Sequence, residues 1–140
     1  MLPINTLNMT KINNSDLNWQ EATDVKNDIK GILQVLDLPH IKLERVFCYR
    51  TSGSKVRAYA RTWAMPKIFQ HALEIEPAYV IEVLTKYYDR LSEDDKKGVL
   101  IHELLHIPKN FSGALASHRS RGRNLHKNAK ELFNEYLKKR

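Results

Sequence analysis

Ser92-Glu93-Asp94-Asp95-Lys96-Lys97-Gly98-Val99-Leu100-Ile101-His102-Glu103-Leu104-Leu105-His106-Ile107-Pro108 is the stretch whose reading decides the fold. Ser92 with Asp95 three residues on resembles a capping box, and Glu93, Asp94 and Asp95 place negative charge where a helix dipole favours it. Pro108 ends the run, so the pattern predicts a helix of about four turns. At 3.6 residues per turn His102 and His106 stand about 40° apart, with Glu103 on their flank. Leu100, Ile101, Leu104, Leu105 and Ile107 occupy the other arc, so the helix is expected to bury an apolar side and present two imidazoles and a carboxylate from the other.

Two imidazoles at i and i+4 can hold one zinc ion, because the helix fixes their separation in advance. Glu103, next to the first ligand, is then placed to serve as a general base towards a zinc-activated water. The chemistry expected from this constellation is hydrolysis of peptide bonds, with Zn2+ as a single catalytic cofactor. A catalytic zinc site needs a third protein ligand and an open position. His118, twelve residues after His106, is the favoured third ligand. His126, expected to face inward from the last helix, is the alternative, and Glu131, Glu135 and the upstream Glu82 are further carboxylate candidates.

Working outward, Ala22, Val25, Ile29, Ile32, Leu33 and Leu36 recur at helical spacing in a pattern that begins near Leu17 and stops at Asp37-Leu38-Pro39. Residues 41–50 and 56–63 read as the two strands of a hairpin around Thr51-Ser52-Gly53-Ser54. The second carries small residues, Ala58, Ala60 and Thr62, on one face, which would let a helix approach closely. Pro66 can open a short helix. Residues 78–84 form a strong strand candidate and are expected to be an edge that a substrate joins by β-augmentation, with Tyr79, Ile81 and Val83 sharing a face. Trp19, Trp63 and Phe69 are expected to pack in the core or between helix and sheet. A last amphipathic helix carries Leu125, Ala129, Leu132, Phe133, Tyr136 and Leu137 on one side.

The 140 residues, 42% of them hydrophobic, suit one α+β domain, with residues 1–15 irregular. Cys48 is the only cysteine, which excludes an internal disulfide and a cysteine-based zinc site. No apolar run approaches the roughly 20 residues that span a bilayer, and Met1-Leu2-Pro3-Ile4-Asn5 does not read as a secretory leader. A cytoplasmic protein without a membrane partner is therefore expected. Residues 115–140 hold eight Lys and Arg against two Glu, so most of the formal +7 lies there. Arg119, Arg121 and Arg123 are candidates for an electrostatic rim near the site, and the basic segment could track nucleic acid. The competing readings are thus a basic nucleic-acid-binding module, and a protein-binding domain with a structural zinc or none.

The run His102-Glu103-Leu104-Leu105-His106-Ile107-Pro108, followed by Phe111-Ser112-Gly113 and His118, resembles a family of small metallopeptidases of archaea and phages. The resemblance extends upstream through Tyr79-Val80-Ile81-Glu82 and Leu91-Ser92, and is more distantly similar to SprT-like and other minimal zincins. It implies a zincin core, a small twisted mixed sheet packed against helices with the active-site helix below an edge strand. It also implies His102, His106 and His118 as ligands and Glu103 as base; the substrate is expected to be a peptide or protein, and an endopeptidase is expected rather than an exopeptidase. Ile107-Pro108 after His106 departs from the metzincins, which carry a Gly and a close third His.

Overall fold

A computed structural model describes residues 17–120 and 123–140; the expected irregular segment 1–15 lies outside the described residues. Strand β1 (Asn18–Glu21) leads into helix α1 (Thr23–Val35), and a 3-10 turn (Leu43–Arg45) precedes β2 (Val46–Ser52). Then come β3 (Ala60–Trp63), α2 (Lys67–Leu73), β4 (Tyr79–Leu84), the single-turn α3 (Thr85–Tyr88) and α4 (Glu93–Leu104). The two-residue strands β5 (Arg119–Ser120) and β6 (Arg123–Asn124) lead to α5 (Leu125–Lys139). The architecture is the expected α+β zincin-like fold, a mixed four-stranded sheet packed against helices, one of which carries the His-Glu-x-x-His run.

The sheet order is β1-β2-β4-β3. β4 runs parallel to β2, with Val46 opposite Tyr79 and Cys48 opposite Ile81, and antiparallel to β3, with Thr62 opposite Ile81. This corrects two expectations. Residues 41–50 and 56–63 do not form a hairpin, because β4 lies between their strands. Nor is the strand of Tyr79, Ile81 and Val83 an edge: it is paired on both sides, and those three side chains are at most 1% exposed. Its near-continuous apolar sequence suits a strand covered on both faces, whereas an edge open to substrate needs one unpaired side. That edge is β3. Residues 18–21, read as the start of the first helix, instead pair antiparallel with β2.

The core lies between the sheet and the helices. Val25, Ile29 and Ile32 of α1 are fully buried, as are Leu100 and Ile101 of α4, and they meet Val46, Ile81 and Val83 of the sheet. Burying each such side chain stabilises the fold by about 1.5–3 kcal/mol before entropy is counted. Helices α4 and α5 run antiparallel: Arg140 at the end of α5 is paired with Asp94 at the start of α4, and Phe133 lies against Gly98 midway. The expected apolar side of α5 packs as the periodicity implies, with Leu125, Ala129 and Tyr136 buried. Trp19, Trp63 and Phe69 do not pack inside; each is about half exposed. Among the described residues no helix is long and apolar enough to cross a membrane.

The sheet face away from α4 holds a buried carboxylate. Glu82 accepts hydrogen bonds from the Thr51 hydroxyl, the Arg61 guanidinium and, at 2.9 Å, the Trp63 indole N–H. Burial would raise its pKa, but these donors outweigh burial and hold it below the usual carboxylate range. Glu82 is therefore committed to joining β2, β4 and β3, and it is removed from the list of ligand candidates.

Candidate metal centre

Helix α4 begins as its sequence implies, with the Ser92 hydroxyl accepting from the Asp95 N–H at 3.1 Å. It ends earlier than the proline suggested. Regular helix stops at Leu104, just over three turns on, and His106 sits in a tightened turn in which its N–H bonds Glu103 O at 3.1 Å. The i, i+4 relation survives because Leu105 N–H still reaches Ile101 O at 3.2 Å. His40 supports the exit of the turn, donating from Nε2 to Ile107 O at 3.3 Å.

The segment after Pro108 is folded back by a buried tyrosine. Tyr79 Oη donates to Ala114 O and accepts from Gly113 N–H, both at 2.8 Å, and its ring meets Phe111 edge-on at 4.9 Å. Tyr79, expected to line a substrate strand, is instead the anchor of this loop. Gly113 has φ +94°, and its carbonyl accepts from Met65 N–H at 2.8 Å. Further on, Ala116 and His106 are joined twice: Ala116 N–H to His106 O at 2.7 Å, and His106 Nδ1 to Ala116 O at 2.8 Å. Since a carbonyl only accepts, Nδ1 carries a proton, and Nε2 is the ring atom left for a metal.

These supports bring His102, His106 and His118 together, with one ring nitrogen of each within 4.8 Å of the others. His102 Nε2 and His118 Nε2 are 3.3 Å apart. Burial, then the neighbouring His106, His126 and His118, pushes the His102 pKa down to about 4, and burial with the same kind of neighbours lowers that of His118. Neutral imidazoles with free lone pairs are the protonation state a metal requires. Three convergent nitrogens, one ordered by a carbonyl behind it, match the donor set and supporting shell of zinc. His126 faces the cluster from the inner side of α5, as expected, without being buried. It is exposed in the first turn of α5, with its ring stacked on His118 at 4.8 Å and 5.0 Å from that of His102.

Glu103 lies beside the cluster, 7% exposed, with Oε1 accepting from Thr62 Oγ1 at 2.9 Å. Burial raises its pKa, while the Thr62 hydrogen bond and His106 pull it back. Thr62 thus contacts the carboxylate directly, a role the sequence reading did not assign; its place on the small-residue face of β3 was the available signal. The sign of a Thr62→Val change follows. The lost hydrogen bond stabilised the ionised form, so the Glu103 pKa rises further, and the acid limb of any reaction that uses this carboxylate as base would move to higher pH. A pH–rate profile checks this, and a limb that stays or moves down would refute the assignment.

Other candidates lie apart from the cluster. Burial pushes the Cys48 thiol up to about 11, which makes it inert as a nucleophile. Of the expected arginine rim, Arg121 and the side chains of Arg119 and Arg123 lie outside the described residues. The backbone there forms a small antiparallel ladder, with Arg119 opposite Asn124.

The family described as "Putative phage metallopeptidase" matches residues 17–138. No curated protein and no solved structure matches the chain. Together the histidine cluster with its adjacent Glu103 and the family match support a candidate zinc-protease site. Since the match runs from β1 almost to the end of α5 and includes every residue of that cluster, the chain belongs to this phage metallopeptidase family.

Proposed function

We propose that this protein is a zinc-dependent peptidase, with His102, His106 and His118 as metal ligands and Glu103 as general base. The observation that carries the reading is the convergence of three imidazole nitrogens within 4.8 Å, next to a buried carboxylate. When bound, zinc supplies Lewis acidity towards the peptide carbonyl and towards water.

The chain's own residues supply the rest. An extended peptide lies along the unpaired side of β3, where main-chain hydrogen bonds hold it across the site without requiring a free terminus, as an endopeptidase needs. Glu103, its pKa raised by burial, takes a proton from the attacking water as the new C–O bond forms. It returns that proton to the amide nitrogen as the C–N bond breaks, and Thr62 holds the carboxylate in place between the two transfers. The ordered Nδ1–H of His106 keeps that ring aimed, through Ala116 O.

Metal analysis and proteolysis together test the proposal. Purified protein is expected to bind one zinc per chain and to cleave an unfolded protein substrate. His106→Ala and His118→Ala are expected to weaken zinc binding by roughly a hundredfold or more, and His126→Ala by far less. A protein that binds no zinc, or binds it without hydrolysing any unfolded chain, would overturn the reading.

A further inference from the structure

A cavity of about 620 Å³ opens directly beside His102 and Glu103, between the start of β3, the middle of α4 and the inner side of α5. We infer that it is a substrate side-chain pocket that selects a large apolar residue, Phe, Leu or Met, adjacent to the bond being cut. The inference rests on the peptidase reading and adds to it a class of substrate.

Three observations carry it. The first is continuity: His102 and Glu103 line the cavity as well as the histidine cluster, so an occupant is in contact with the reacting region. The second is register. Thr62 hydrogen-bonds Glu103, and Ala60, two residues back on the same face of β3, lines the cavity. In an extended peptide laid on that edge, side chains on one face repeat every two residues, about 6.6 Å apart. One side chain next to the reaction centre is thereby directed into the cavity.

The third is the chemistry of the walls. Leu91, Val99 and Phe133 supply apolar surface, while Ala60, Gly98 and Ala129 leave the space. Gly98 is needed for this shape, since a Cβ there would stand 3.2 Å from the Phe133 ring. The volume falls within the 300–1,000 Å³ range of ligand pockets and is ample for an aromatic ring. Asp95, His126 and Lys130 also line the cavity, but a small polar side chain placed against the apolar walls loses hydration without recovering it, whereas a large apolar one gains by burial.

The test uses the zinc-loaded full chain and peptides identical except at the residues flanking the scissile bond, set in turn to Phe, Leu, Ala and Asp. The expected result is kcat/KM about 10- to 200-fold higher for Phe or Leu than for Ala at one flanking position, with Asp lowest. Ala58→Trp, which fills the cavity from the half-buried segment before β3, is expected to cut the Phe-to-Ala ratio at least tenfold. Phe133→Ala is expected to move the preference towards larger side chains, and circular dichroism verifies folding of both. Equal cleavage of all four peptides, or a ratio unmoved in both variants, overturns the pocket. If no peptide is cleaved at all, the peptidase reading fails separately, and the pocket is then judged by NMR titration with N-acetyl-phenylalanine amide against its alanine counterpart. Shifts at the Val99 and Ala129 methyl groups seen only with the phenylalanine compound, and lost in Ala58→Trp, support it; their absence overturns it.

Discussion

Glu103→Gln is expected to leave zinc bound and the fold intact while lowering kcat/KM roughly a hundredfold to ten-thousandfold, the range general-base catalysis contributes. Glutamine has nearly the same shape as glutamate, and its amide oxygen can still accept from Thr62. What it lacks is a site that takes a proton at neutral pH. Because Glu103 is 7% exposed and burial disfavours its charge, the neutral amide should be at least as stable in place. The decisive measurement is therefore a combination: zinc per chain unchanged, thermal midpoint unchanged or higher, turnover largely gone. Turnover within a few-fold of the parent would remove Glu103 from the chemistry, and loss of zinc would make it a structural support for the ligands.

Gly113→Ala is expected to damage the site from a distance. At φ +94° an alanine is strained, by about 1–3 kcal/mol for the backbone alone. Its Cβ would also overlap the Gln70 amide and approach Met65 O to 2.5 Å, contacts that require the loop to move. Displacement breaks the Met65 N–H to Gly113 O bond and the pair of bonds to Tyr79 Oη, and the same loop continues to Ala116 and His118. We expect a lower denaturation midpoint in urea and a weaker zinc affinity, while the core of α1, β2 and β4 holds. A variant with parental stability and zinc affinity would show that the loop does not position His118.

Much of this was readable in the sequence because it depends on local chemistry. The start of α4 is set by Ser92 and Asp95 within one turn, the apolar side of α5 by spacing, and the His102–Glu103–His106 relation by helical geometry. His118 was reachable because little chain separates it from His106. The sheet order was not readable: β2, β3 and β4 are all rich in β-formers, and nothing between residues 46 and 63 says that a strand from residue 79 will enter between them. The double burial of β4 was a signal, since its apolar residues do not alternate with polar ones as an edge strand's do. Thr62, Tyr79 and Gly98 act through partners 41, 35 and 35 residues away, contacts that only the folded chain displays.

The strand order also bears on how the molecule comes into being. On a chain emerging from the ribosome at roughly 5–20 residues per second, β2 has only β1 to pair with until residues 79–84 have been made. β3 likewise waits for β4, its one neighbour in the sheet among the described residues. During that interval Val46 and Cys48, both destined for the interior, have no strand beside them on the β4 side. Thr62 meets Glu103 later still, and His118 follows the sheet's completion by more than thirty residues. A nascent chain therefore holds every strand of its four-stranded sheet before His118 is made, so the scaffold is synthesised whole before the candidate metal site can close.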